Sequence, residues 1–310
     1  MKPIDVLKEF AGPHAERLDQ TSVETFANRV DTIIQQSDRS DPVEVVIAGF
    51  PAKSPNTSKK VMGTLPDFGE YLALGRLARF RDMFAEVINK DVALTICSDG
   101  HIFSDIKEIP DTTVDTYRNE IQLMATSYGL AIRGLGDYIN ASNTPAQREL
   151  FVDSFVEPVN VMRSQVLADD SMKMLYDNLR VFAERDLKKR DMETKRDFKT
   201  RACVAAFDLL SRSNGWSKLI KEFHPNAVRL SVHPYTEVSE KFPFMLLGSY
   251  DGRWRTPWHN VPIAYYGSRP TVLAPRCYAD KSLLDQVDRS GRFISTNSTS
   301  NPWTYVETLN

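Results

Sequence analysis

The sequence predicts an α/β protein: a mostly parallel sheet flanked by helices, interrupted by an inserted all-helical subdomain. Three observations carry this. Val43, Val45, Val46 and Ile47 form a short β-branched run of the kind buried on both faces of a parallel sheet. Apolar strand patterns at 43–47, 91–98 and 130–138 alternate with stretches of helical periodicity. Residues 144–223 then carry helical patterning alone before strands resume. The expected organisation is a first part of the sheet domain with N-terminal helices at 1–143, a helical insertion or cap at 144–223, and the second part of the sheet with a tail at 224–310.

Composition narrows the class. The 310 residues amount to about two domain-equivalents and can bury a sizeable core. Hydrophobic residues at 42% and charged residues at 26% are ordinary for a globular enzyme, and a net charge of −2 argues against nucleic-acid binding. Cys97, Cys203 and Cys277 lie far apart, with neither a disulfide framework nor metal-ligand spacing. The opening MKPIDVLKEF lacks the apolar core of a secretory signal, and no run approaches the roughly 20 apolar residues of a membrane span. A reducing, cytoplasmic setting without membrane contact is expected.

The elements follow in order. Residues 1–40 read as amphipathic helices, with Thr21 or Ser22 as a cap and Val23, Phe26, Val30, Ile33 and Ile34 on one stripe. His14-Ala15-Glu16 has the spacing of an iron-binding pair, but its helical, terminal context and the unplaced third ligand count against that. The strand at 43–47 stops at Gly49, where Pro51 and Pro55 forbid helix and ladder alike. Between them sit Lys53, Ser54 and, just beyond, Asn56, at the crevice where open α/β sheets bind ligands. This is a phosphate or carbonyl site, or equally a stiff surface loop with a solvated lysine. Pro66, Asp67 and Glu70 open a helix running to about Asn89, whose free amides lie near the lysine loop and suit an anion.

The second strand delivers Ser98-Asp99-Gly100-His101, with Asp105 close behind. A histidine among carboxylates after a strand end suits proton transfer, and Gly100 permits a sharp turn through positive φ. The alternative is that Ser98 and Asp99 cap a turn over a half-buried histidine. A helix to about Tyr128 ends at Gly129, and Gly134-Leu135-Gly136 is only a fragment of a dinucleotide fingerprint. Within the helical region, 183–201 reads as a solvated helix with i,i+4 pairs Glu184–Lys188, Asp186–Arg190 and Asp191–Lys195. Later, Arg229, Ser231 and His233 alternate along one strand face, Lys241 precedes a strand at 241–247, and Trp258-His259 follows a rigid proline before the strand at 261–267. The tail from Asp288 is expected to cross the surface, docked by Trp303 and Tyr305.

GFPAKSPN at 49–56, PDFGE at 66–70, SDGHIFSD at 98–105, RLSVHP at 229–234, KFP at 241–243 and TPWHN at 256–260 occur in this order. The ordered set, spanning about residues 20–280, resembles the pyoverdine/dityrosine biosynthesis family, whose bacterial members are isonitrile synthases. The resemblance implies a Rossmann-like sheet and a lyase that breaks C–C bonds. It would convert the amine of free tyrosine or tryptophan, tyrosine being the commoner substrate, to an isonitrile with carbon from ribulose 5-phosphate. No cofactor is implied; the implied partner is a downstream Fe(II)/2-oxoglutarate oxygenase acting on the product. Lys53, Arg229 and Lys241 are then candidate anion clamps, and Ser54, Asn56 and Ser231 further substrate contacts. His101, His233, His259, Asp99 and Asp105 are proton-transfer candidates, with Lys53 as a secondary Schiff-base option. Trp258 would wall the aromatic side chain. An N-formyl-forming relative and a non-catalytic sugar-phosphate-binding module are the rival readings.

Overall fold

The valine-rich run is the middle of the sheet. The computed structural model describes residues 1–38, 40–265, 269–282, 284–290 and 302–307. In it β1 (Val43–Ala48) pairs in parallel with β2 (Val92–Cys97), which in turn pairs with β3 (Ala131–Arg133). On its other side β1 pairs in parallel with β4 (Val228–Ser231), and β5 (Phe242–Pro243) completes the order β3-β2-β1-β4-β5. All four β4 residues are buried, so neither face of that strand meets solvent.

Alternation divides the sheet residues between two layers. Val45, Ile47, Leu94, Ile96 and Leu230 share one core with α1 (Pro3–Ala11), α2 (Gln20–Gln36), α3 (Phe68–Ile88) and α5 (Asp111–Ser127), the short α4 (Gly100–Phe103) lying between the last two in sequence. Val46 and Cys97 point the other way, toward α6 (Leu135–Tyr138) and the helices after it. These are α7 (Thr144–Phe155), α8 (Val159–Ala168), α9 (Asp170–Asp186) and α10 (Lys195–Phe223). Trp216, Leu219 and Ile220 in the second half of α10 pack with Val46 and Cys97, while Leu210 joins Met162 and Val166 of α8. The helical segment thus covers the second sheet face and shares its core.

Several local expectations change. The cap of α2 is Asp19, whose carboxylate accepts the Ser22 amide at 2.7 Å, so neither Thr21 nor Ser22 holds that position. The charged run at 183–201 is not one helix, because α9 ends at Asp186 and α10 begins at Lys195. The chain turns extended at Leu187 to bury that side chain, and none of the three expected i,i+4 pairs forms. Glu184 instead reaches back to Arg180 at 2.8 Å, Arg190 pairs with Glu108, and Asp186 turns inward. The 241–247 strand contracts to Phe242–Pro243, since Pro243 has no N–H and Met245 N bonds Phe10 O instead.

A second sheet, β7 (Val272–Ala274), β6 (Val261–Ala264), β9 (Thr304–Val306) and β8 (Asp285–Val287) in spatial order, packs beside the N-terminus of α3. Tyr305 is buried within it and Trp303 packs on Phe68 and Tyr71, so this part of the tail is a strand; 291–301 and 308–310 lie outside the described residues. No helix among the described residues is long and apolar enough to cross a membrane.

Candidate functional site

The carboxyl ends of β1, β2 and β4 lie side by side, at the edge where open parallel sheets bind ligands. Trp258 ties them together. Its ring lies tilted against Phe50 with centroids 5.1 Å apart, and a Cβ on Gly49 would lie 3.1 Å from it and 3.6 Å from Val232. It is only 4% exposed, so the indole is a packed wedge and not the wall of an open pocket. What it positions is its neighbour, His259.

Lys53 is buried, and its three ammonium donors are all taken. Asp67 and Glu70 each accept at 2.7 Å, and Pro257 O accepts at 3.2 Å. Burial alone would lower its pKa, but the two carboxylates outweigh this and raise it. Burial also pushes the Asp67 carboxyl well above the usual range, against the pull of Lys53. Lys53 is therefore corrected from an anion clamp or Schiff-base former to the buried anchor of the proline loop. The α3 N-terminus is likewise occupied, because Asp67 accepts Gly69 N at 2.9 Å and Glu70 accepts Asp67 N at 3.0 Å, leaving no vacant anion seat there.

Arg229 is spoken for in the same way. Its guanidinium donates to Ser217 O at 3.0 Å and Ser217 Oγ at 2.8 Å and faces Glu240, so it ties α10 to the sheet. Asp105 makes paired bonds of 2.6 and 2.9 Å with Arg212, again toward α10, and is not in the crevice cluster. His101 turns to α5, with Nε2 3.1 Å from Asp115. Gly100 serves space and not a turn: its φ is not positive, and an added Cβ would sit 2.0 Å from Pro51 O. These two segments touch backbone to side-chain position, which fixes Asp99 against the proline loop.

The remaining expected residues fall into two groups. The first centres on a residue that the sequence hides, Asp186. Ser54 Oγ donates to it through a short bond, Lys60 Nζ lies 2.8 Å away, His259 Nδ1 3.4 Å and Lys107 Nζ 3.8 Å. Asn56 holds the preceding residue, donating to Arg185 O at 2.8 Å. Phe182, one turn earlier on α9, meets the His259 ring edge-on at 4.9 Å while Lys60 and Lys107 lie over its face. Burial would raise the Asp186 carboxyl, but His259, Lys107 and Lys60 hold it well below the usual range. Burial dominates at His259, pulling it down to about 4 against the opposing pull of Asp186, so its ring is neutral near pH 7. Asp99 completes the group: burial raises it to about 6 against the nearby Lys107, and its Oδ1 is buried without a hydrogen bond, while Asp186 Oδ2 and His259 Nδ1 make only the longer ionic contacts just given.

The second group lies at the β4–β5 edge. Ser231 Oγ accepts His233 N at 3.1 Å, and Trp254 Nε1 donates to Val232 O at 2.5 Å, fixing the strand end. His233 is solvent-accessible yet surrounded by protein, whose desolvation, with the charge of Lys241, lowers it to about 4. Lys241 has no hydrogen-bond partner among the described residues, and burial with Arg229 beside it lowers its pKa to about 8. A neutral base and a free cation thus stand together. A separate groove of about 320 Å³ between α7, α8 and α10, lined by Val156, Asp208, Ser211 and Arg212 among others, shares none of these residues.

Asp67, Glu70, Lys60, Lys107, Phe182 and Asp186 escape a sequence reading for different reasons. Asp67 and Glu70 are visible in PDFGE, but read only as helix capping. Asp186 lies in a charge-rich run whose spacing imitates a solvated helix, and nothing in sequence pairs it with Ser54, 132 positions away.

The pattern of the pyoverdine/dityrosine biosynthesis protein family matches residues 33–283. The L-tryptophan isonitrile synthase AmbI2 of Fischerella ambigua is 31% identical over 258 residues, 82% of this chain and 77% of its own. The L-tyrosine isonitrile synthase of Pseudomonas aeruginosa is 30% identical over 231 residues, 72% and 70% of the two chains. The crystal structure of PvcA from Pseudomonas aeruginosa superposes with a TM-score of 0.80 at 25% identity, covering 96% of this chain and 99% of that one. With its α/β architecture, its ordered motifs and this match, the chain belongs to the pyoverdine/dityrosine biosynthesis family.

Proposed function

We propose that this chain is an isonitrile synthase that converts the α-amino group of a free aromatic amino acid to an isonitrile, with ribulose 5-phosphate as carbon donor. One observation carries the reading: relatives at 31% and 30% identity are named for the same activity on two different aromatic amino acids. The activity is therefore the common element, and tyrosine and tryptophan are the substrates to compare.

The crevice offers what such chemistry needs. The amine attacks the sugar ketone and loses water, after which proton shifts expel phosphate and break sugar C–C bonds. Neutral His233 and His259 and the raised Asp99 carboxyl would serve as the bases and acids for proton transfer, a reading their shifted pKa values support. Lys241, and Lys60 with Lys107 sharing the single carboxylate of Asp186, supply positive charge for phosphate and carboxylate. The product would pass to an Fe(II)/2-oxoglutarate oxygenase.

Purified protein incubated with ribulose 5-phosphate and either amino acid tests the proposal. A product gaining one carbon and losing two hydrogens relative to the amino acid supports it and names the substrate. Gain of carbon and oxygen would indicate an N-formyl product. Tight sugar-phosphate binding without any product would indicate a binding module.

A further inference from the structure

Resting on that functional reading, we propose that Asp186 is a positioning residue: from the last turn of α9 its carboxylate accepts a hydrogen bond from Nδ1–H of His259, keeping the proton on Nδ1 and leaving Nε2 as the free base of the site. A neutral imidazole has one N–H, and the partner of one ring nitrogen decides the role of the other. Nδ1 is buried, faces an Asp186 oxygen at 3.4 Å and has no closer hydrogen-bond partner, while no hydrogen bond or ion pair engages Nε2 among the described residues. The contact is long, as such bonds often are before substrate tightens the site.

The surroundings reinforce the assignment. Asp186 is 1% exposed and meets Ser54, Lys60 and Lys107, so it cannot rotate away to solvent. Phe182 and Asp186 are four residues apart and share one face of α9, so they approach the ring from two sides. Asn56 and Ser54 hold the end of α9 through Arg185 O and Asp186 itself. The orienting carboxylate is thus contributed by the helical segment and the base by the sheet-side loop, and the site is complete only with α9 docked.

The test is a long-range nitrogen–proton correlation spectrum of ¹⁵N-histidine-labelled protein, with His259 assigned by its loss in His259→Gln. The expected wild-type pattern is a protonated Nδ1 and a lone-pair Nε2, shifting severalfold toward the Nε2–H tautomer in Asp186→Asn. A wild-type ring already protonated on Nε2, or an unchanged ratio in Asp186→Asn, would overturn the proposal. Kinetics add a second arm: Asp186→Asn and His259→Gln should each lower kcat by roughly a hundredfold or more, with the double variant no worse than the poorer single. Losses that multiply would show that Asp186 acts independently of His259 and would overturn it too. A wild-type chain that forms no isonitrile defeats the functional reading, while the spectrum still decides whether Asp186 fixes the ring.

Discussion

The ammonium of Lys53 lies 2.7 Å from a carboxylate oxygen of Glu70, and both side chains are sealed from solvent. Asp67 stands at the same distance, and Tyr117 donates to the far oxygen of Glu70 at 3.2 Å. Removing the cation strands two buried carboxylates. Lys53→Met should therefore cost about 3–5 kcal/mol of stability, read as a lower urea midpoint. Adding Glu70→Gln should recover part of the loss. A variant of normal stability with only a raised KM would return Lys53 to the role of an anion clamp.

Lys241 carries a different signature. With its pKa lowered to about 8 by burial and Arg229, its charge disappears as pH rises through 8. KM for the anionic substrate it holds should climb over that range, and Lys241→Arg should move the climb to higher pH, because guanidinium stays charged. A KM flat from pH 7 to about 9 in the wild type would exclude the lysine from binding.

His259 sits near 4 in the folded state, against 6.5 for an ordinary histidine. Between those values the unfolded chain binds the extra proton, so stability must fall as pH drops from about 6.5 to 4. His259→Gln should flatten that part of the curve. The depressed Asp186 carboxyl has the opposite protonation chemistry but the same sign, its contribution being lost only at more acidic pH. Denaturant midpoints measured across the range check both.

Gly100→Ala places a methyl where Pro51 O already lies, 2.0 Å away. The loop and strand end must separate, at a cost of about 1–3 kcal/mol, and Asp99 moves with them. Activity should fall further than stability alone explains, measured as kcat at a temperature where the variant is still folded.

Much of the architecture was legible because it rests on local pattern. β-branched runs marked β1 and β2, and the helical block read from 144 to 223 begins with α7 at Thr144 and ends with α10 at Phe223. Ser54, Asn56, Asp99, His233, Lys241 and His259 stand out as candidates in the sequence because strand ends and proline turns gather side chains where an open sheet binds ligands. What stayed hidden depends on pairing at a distance. Lys53 and Arg229 look like free cations until their partners Glu70 and Ser217 are in view. Asp186 looks solvated until α9 is seen to stop there, and Trp258 looks like a pocket wall until Gly49 is seen beneath it.

The most direct measurement follows isotope through the reaction: the purified chain, tyrosine or tryptophan, and ribulose 5-phosphate labelled at the ketone carbon, read by mass spectrometry. The expected product is the amino acid with its amine replaced by an isonitrile whose carbon bears the label. An unlabelled product, a formyl product, or none with either amino acid would contradict the assignment.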